Sequence, residues 1–544
     1  MAGQRSLGSL AVNSPPPAVG GSRTRPIATV STGALAGAVE DDAAVFRSVP
    51  YAAPPVGPLR WRPPQPAAEW QGLKDATRFG PACLQGHPRG LTDVTPYGGA
   101  PEPTSEDGLT LNVWAPVHMP AGAPVMVFFH GGSGVFGSGA LPYYSGAAFA
   151  RDGVVLVTAN YRLGALGGFA HPALTREASA RGELMGAYAT MDQVAALRWV
   201  KRNIAAFGGD PGNVTIFGES AGAISVLNLL TMPLAHDLFD KAIVQSGGGW
   251  FPAGQDRVRA EAAGVEIGKA FGVPAGGSVE ELRGIPGQPL MDLNLPGAGF
   301  PDPRLAPEGV TAAIAAGRHA RVPLMIGVNS GEDSLLDHGD GVAKLRADIK
   351  PSVMARLKAL YPDADEETLV RNYFRDGVGA SAARWVAGKW STKAPAYLYR
   401  FEHVDEAALA HRDRAPHGSE IFYVFETLGE QPASIGAFQP TSADRSVAAG
   451  MHARWVAFAR SSDPNVEGLS PWPAYCRERD PWMVFGQDGS GARNQLMQKQ
   501  LDWYERRTAP LILMLRAQAA WRRLPYLLTR PPRGEHRELA GHLT

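Results

Sequence analysis

Five short runs of apolar, β-branched and aromatic residues punctuate the chain: VMVFF (125–129), VVLVTA (154–159), VTIFG (214–218), KAIVQSG (241–247) and VPLMIGVN (322–329). Glycine, aspartate or turn clusters such as GGDPGN (208–213) bound them. Each has the length of a strand, and none alternates polar with apolar. A strand that is apolar on both sides must be covered on both sides. The intervening stretches have helical periodicity. Tyr188, Met191, Val194, Ala195, Leu197 and Val200 form one stripe within 185–208, and AGAISVLNLLTMP (221–233) reads as a second helix. Strands and helices in alternation predict an α/β chain with a large, mostly parallel central sheet flanked by helices.

Composition narrows the function classes. The 544 residues carry 52 Lys and Arg against 52 Asp and Glu, so there is no electrostatic footprint for nucleic acid or an anionic membrane. No apolar run approaches the roughly 18 residues of a spanning helix. Residues 1–25 are rich in Gly, Ser and Pro and lack an apolar core, which predicts a disordered arm rather than a signal peptide. The expected location is cytoplasmic, or secreted with a signal already removed. Two cysteines, Cys83 and Cys476, make neither a disulfide framework nor a zinc cluster. The loops at 84–105 and 285–308 have the length of lids or pocket walls. From Leu511 the apolar-basic stretch LILMLRAQAAWRRL predicts a C-terminal surface helix, followed by a charged tail to 544.

The chemistry centres on Gly218-Glu219-Ser220-Ala221-Gly222. A G-x-S-x-G string is common by chance, and the serine alone reads equally as a turn residue capping a helix. Here a strand runs into the string and a helix leaves it. On such an elbow the small flanking residues allow a strained serine whose hydroxyl stands exposed at the sheet edge. The N–H of Ala221, at the new helix N-terminus, is then free to meet an oxyanion. The segment FFHGGSGVFGSG (128–139) follows another strand, and its small residues let backbone N–H groups face a cavity. A plain flexible glycine loop is the alternative, and no Lys-Ser/Thr follows to suggest phosphate binding. A nucleophilic serine needs a histidine base and a carboxylate to orient it, in the chain order Ser, acid, His. His417, in APHGSEIFYVF, and Glu332, just past the strand at 322–329, occupy suitable places, with Asp333 competing for the acid role.

Taken together, these segments resemble the type B carboxylesterases, the cholinesterase/carboxylesterase group that includes bacterial para-nitrobenzyl-esterase-like members. The resemblance covers residues 27–490. It rests on VPYAAPPVGPLRWRPPQP (49–66), SEDGLTLNVWAP (105–116), HGGSGVFGSG (130–139), NYRLG (160–164), FGGDPGNVTIFGESAGA (207–223), QSG (245–247), GVNSGEDS (327–334), PHGSEIFYVF (416–425) and WVAFARSSDPN (455–465). It implies the α/β-hydrolase fold over a single catalytic domain, 26–510. It implies a Ser220–Glu332–His417 triad, choosing Glu332 over Asp333. It further implies an oxyanion hole from the N–H groups of Gly132, Ser133 and Ala221, a buried carboxylate, Glu219, beside the nucleophile, and Ser246 near the acid. No metal or organic cofactor is implied. The expected partner is a small-molecule ester, with no nucleic acid, no stable membrane insertion, and a monomeric or homodimeric state.

This sequence departs from the family in four places. Gly108 stands where a cysteine often pairs with the position of Cys83, so Cys83 is expected to be a small buried residue. Ser133-Gly134 replaces the usual small-then-aromatic pair. Asp333 stands where glycine usually follows the acid. No Trp lies between Cys83 and Ser105, and LLDHGDG after the acid lacks aromatic residues, which disfavours quaternary ammonium esters. Trp250, Phe251 and Phe300 read as pocket aromatics or as core. Arg89, Arg257 and Arg304 read as surface cations or as receptors for a carboxylate. A non-catalytic adhesion scaffold and an interfacial lipase are the competing functions; an intact triad argues against the scaffold.

Overall fold

A computed structural model describes residues 25–86, 103–118, 121–248, 256–295, 300, 302–337, 339–405, 409, 413–430 and 439–528, with side chains to 519. The arm before Arg25, the tail after 528, Arg89, Trp250, Phe251 and most of the 84–105 loop lie outside the described residues.

Eleven strands form the main sheet: β1 (Ala38–Glu40), β2 (Ala43–Pro50), β3 (Thr110–Pro116), β4 (Ala123–Phe129), β5 (Val155–Ala159), β6 (Gly209–Glu219), β7 (Lys241–Gln245), β8 (Leu324–Asn329), β9 (Ala396–Phe401), β10 (Pro481–Gly486) and β11 (Gly489–Asn494). Their spatial order is β11-β10-β9-β8-β7-β6-β4-β5-β3-β2-β1. The strands from β10 to β5 pair in parallel, and antiparallel strands close both edges.

The apolar runs follow from burial on both faces. In β4, Val125, Val127 and Phe129 enter one core while Met126 and Phe128 enter the other. In β8, Leu324, Ile326 and Val328 face the first core and Met325 the second. Helices α1 (Tyr188–Asn203), α2 (Ala221–Leu230) and α3 (Ser381–Trp390) cover the first face; α4 (Ser442–Ser461) covers the second, with Trp455 and Phe458. Each fully buried Val, Leu or Phe contributes about 1.5–3 kcal/mol by leaving water. Where the sequence predicts a C-terminal helix from 511, the structure has a longer one, α5 (Gln498–Leu528), which runs through Pro510.

Both cysteines are free, and Cys83 is buried. A Cβ on Gly108 would lie 2.8 Å from Cys83 Cα and 2.9 Å from its Sγ. The backbone has therefore closed into the space a disulfide would need.

Chain direction across the sheet reverses at β4. From it, β5 lies to one side and β6 to the other, after which β7 to β10 are added outward. The carboxyl ends at such a switch point leave a crevice between diverging loops. There α2 approaches β4 so closely that a Cβ on Gly222 would sit 1.9 Å from Phe129 O and 2.8 Å from His130 O. Backbone cannot yield as a flexible side chain can. Gly222→Ala is expected to destabilise the fold by about 2–3 kcal/mol, read as a lowered Tm by calorimetry; an unchanged Tm would contradict this packing.

Candidate active site

Ser220 stands between β6 and α2 with φ 54 and ψ −121. That conformation is strained for a residue with a Cβ, so it persists only where the surroundings over-determine it. The Ser220 N–H donates to Gln245 O (2.9 Å), and Ser220 O accepts from Ile224 N–H (3.0 Å). A Cβ on Gly218 would lie 2.5 Å from Gly222 C, so the two motif glycines meet directly. The serine is half-buried, whereas Glu219 before it is buried completely.

The loop after β4 abuts this elbow. A Cβ on Gly131 would come within 2.7 Å of Glu219 Oε2 and 3.3 Å of Ser220 Cβ. Gly132, Ser133 and Gly134 all have positive φ (100, 56 and 68). Gly132 O accepts from Val135 N–H (2.9 Å) and Phe136 N–H (3.1 Å), which folds the loop back on itself. Among the turn and loop bonds of the described residues, the N–H groups of Gly132, Ser133 and Ala221 donate to no carbonyl. Ala221 opens α2, where first-turn N–H groups have no intrahelical acceptor. His130 anchors the loop: its ring stacks on Tyr161, whose hydroxyl donates to His130 O (2.6 Å). Burial pushes the His130 imidazole down to about 4, keeping it neutral.

Glu332 opens a 3-10 turn (Glu332–Leu336) beyond β8. Its Oε1 accepts from Asn329 N–H (2.7 Å), and its Oε2 accepts from His417 Nδ1–H (2.5 Å). The two loops are stitched together by Gly331 N–H to Ala415 O (2.7 Å), Asn329 Nδ2 to Pro416 O (2.8 Å) and His417 N–H to Ser334 Oγ (3.0 Å). On the far side of the ring, His417 Nε2 lies 3.2 Å from Glu219 Oε1 and makes no hydrogen bond to Ser220.

A residue that the motifs do not reveal completes the cluster. Glu420 is fully buried and accepts from Asn329 Nδ2 (2.5 Å) and Gln245 Nε2 (3.3 Å). Gln245 thus joins the elbow, through its carbonyl, to Glu420, through its side chain. The available signal was a lone carboxylate three residues after His417 in an otherwise aromatic segment. Burial disfavours protonated His417, but Glu332, Glu219 and Glu420 together overcome it and raise its pKa to about 9. Burial, then the Glu332 charge, pushes Glu420 up to about 7.

The other expected positions fall as follows. Ser246 follows β7 with φ 55, and its N–H donates to Gly327 O (2.9 Å). Its buried Oγ makes no hydrogen bond to Glu332. Asp333 turns toward Arg371 (3.6 Å), which also pairs with Asp337 (2.7 Å); its charge therefore meets a cation. Phe300 is core, packed with Ala170 and Met185. Arg304 is committed to Asp302 (2.7 Å), and Arg257 is an exposed cation 3.7 Å from Glu261. Among the described residues, no three His, Cys, Asp or Glu side chains group as metal ligands.

A strained serine on a strand–helix elbow, with a histidine–carboxylate pair and a glycine loop beside it, is an arrangement found among serine hydrolases of several kinds. The model of the carboxylesterase family matches residues 24–504. The chain belongs to the carboxylesterase family. It is similar to the fumonisin B1 esterase of Sphingopyxis macrogoltabida, with 38% identity covering 85% of this chain and 86% of that one. The para-nitrobenzyl esterase of Bacillus subtilis (strain 168) is 33% identical, covering 84% of this chain and 94% of that one. A solved PNB esterase structure superposes with a TM-score of 0.76 at 30% identity, over 88% of this chain and 99% of that one. The protein is thus a carboxylic ester hydrolase of α/β-hydrolase fold, and its substrates are small esters. Among the described residues, no helix is long and apolar enough to cross a membrane.

Glu420 gives this carboxylesterase a pH signature. Its folded pKa, about 7, exceeds its ordinary 4.5. The cost of ionising it in the fold therefore begins as pH passes 4.5 and is complete above 7. Glu420→Gln removes that cost. Its stability relative to wild type is expected to climb between pH 4.5 and 7 and level off above, as measured by denaturant titration. A difference independent of pH would contradict the buried-acid assignment.

Proposed function

We propose that this carboxylesterase works through an acyl-enzyme on Ser220, with His417 as base and acid, Glu332 orienting it, and the N–H groups of Gly132, Ser133 and Ala221 receiving the oxyanion. The observation that carries this reading is the 2.5 Å bond from His417 Nδ1–H to Glu332, at the sheet edge that also presents Ser220. With Nδ1 committed, the lone pair of neutral His417 sits on Nε2, the nitrogen free to take a proton.

In this mechanism His417 Nε2 accepts the Ser220 proton as Oγ bonds to the ester carbonyl carbon. The carbonyl π electrons pass to oxygen, and the three N–H dipoles, already oriented, stabilise that charge without reorganising. The intermediate collapses, the ester C–O bond breaks, and His417 gives its proton to the departing alkoxide oxygen. Water then repeats the attack with His417 as base, releasing the acid and restoring Ser220. Glu332 stabilises the imidazolium in both halves. Glu219, beside Nε2, adds to that stabilisation.

Ser220→Ala is expected to lower kcat on a generic aryl ester by about 10⁴-fold or more, with the fold intact by circular dichroism; undiminished turnover would refute the reading. A second expectation concerns pH. Turnover needs neutral His417, whose pKa is raised to about 9, so kcat/KM should climb with pH along an acid limb well above 6.5. Glu219→Gln removes one of the charges holding the proton, and the limb should move to lower pH. An unmoved limb would exclude Glu219 from the electrostatics of the base.

A further inference from the structure

Helix α5 carries an uncovered face. From Arg506 to Leu528 the sequence RRTAPLILMLRAQAAWRRLPYLL holds five arginines and no acid. Within it, residues 511–515 are apolar on every side. Ile512 and Leu515 are buried, and Leu515 packs with Ala519 against Ala312 of the domain. The other side faces outward: Leu511, Leu513 and Met514 are 39%, 63% and 48% exposed. A helical segment that is apolar all round is ordinarily covered all round.

The charges that α5 itself brings to this face have one sign. Arg506, Arg507 and Arg516 are exposed and pair with no carboxylate among the described residues; the Arg507 guanidinium lies over the Tyr373 ring, 5.6 Å from its centroid, and Arg506 and Arg516 have no such contact among the described residues. The acids of the same helix, Asp502 and Glu505, are committed to Arg384 and Arg477. At 3.6 residues per turn, Arg506, Pro510, Leu513 and Ala517 run along one line, with Arg507, Leu511 and Met514 to one side and Arg516 to the other. Arg506 thus shares its line with Leu513, Arg516 stands beside that line, and Arg507 borders the face from its contact with Tyr373. The chain as a whole is neutral, so any attraction to anions is local to this helix.

We propose that this face docks on the surface of an anionic lipid bilayer. Leu511, Leu513 and Met514 enter the boundary between headgroups and acyl chains, and the arginine stems lie along it with their guanidiniums on lipid phosphates. The helix lies on the bilayer and does not cross it, and the attachment is reversible. A second copy of this chain is a poorer occupant, because two-fold pairing of the face would set arginines against arginines. Docking places the ester hydrolase where apolar esters concentrate.

Co-sedimentation of the full-length protein with vesicles tests this. It should sediment with vesicles of equal parts phosphatidylcholine and phosphatidylglycerol, scarcely with phosphatidylcholine alone, and be released by high salt. Leu511→Ser, Leu513→Ser and Met514→Ser together should weaken binding by about tenfold or more, while hydrolysis of a soluble aryl acetate stays unchanged and reports an intact fold. Arg506→Gln, Arg507→Gln and Arg516→Gln together should weaken binding and reduce its salt dependence. Failure to sediment with anionic vesicles, or binding that survives both triple substitutions, overturns the proposal. So does a dimer in solution that the apolar triple variant dissolves without any vesicle binding, or binding that appears only once residues 529–544 are removed.

Discussion

The site depends on one strained backbone, that of Ser220. Its φ of 54 and ψ of −121 turn a strand into a helix in a single residue. Such a conformation costs on the order of 1–3 kcal/mol, so it must be held from outside. Three contacts hold it. Gly222 lies against the carbonyl end of β4, Gly218 lies against Gly222, and the Ser220 N–H is tied to Gln245 O at the end of β7. Each requires the parallel packing of β4, β6 and β7, so the strain at the serine is sustained by the middle of the sheet. The same tight packing directs the N-terminus of α2, and with it the Ala221 N–H, at the crevice.

The second constraint is electrostatic. One imidazole sits among three buried glutamates, Glu219, Glu332 and Glu420. Three carboxylates cannot all remain ionised cheaply in so small a volume. The structure resolves this by dividing roles. Glu332 is satisfied by a backbone N–H and the imidazole. Glu420 is pushed toward its neutral form and takes hydrogen bonds from two amide side chains. His417 is pulled toward its charged form. The linkage follows in sign: the raised His417 pKa adds stability below its ordinary 6.5, and that stability fades as pH rises through about 9.

Much of this was legible in the sequence where geometry leaves a local trace. Strands buried on both faces cannot alternate, and β4, β5, β7, β8 and the second half of β6 read as apolar runs; the first half of β6, Gly209–Asn213, is partly exposed and reads as a turn cluster. The elbow shows itself because only small residues tolerate the contacts at 218 and 222. The antiparallel edges, and the parallel β9 and β10, are not among the runs read as strands; at the edges the apolar signal is mixed with polar positions, as in TLNVWAP. Neither Glu420 nor Gln245 announces itself. Each is a polar residue inside an apolar segment, and only the assembled sheet brings Gln245 and Asn329 to one carboxylate. The Asp333 departure needed the fold as well, because Arg371, which compensates it, is distant in sequence. Leu511 begins an apolar run, but the helix starts at Gln498, where the preceding residues pack on the domain.

The central claim is that this fold activates one serine. The direct measurement is peptide mapping by mass spectrometry after reaction with an organophosphonate probe that modifies activated serines. The account requires a single adduct, on the peptide containing Ser220, formed in the folded enzyme and absent after denaturation. An adduct on another residue, or none in the folded protein, would contradict it.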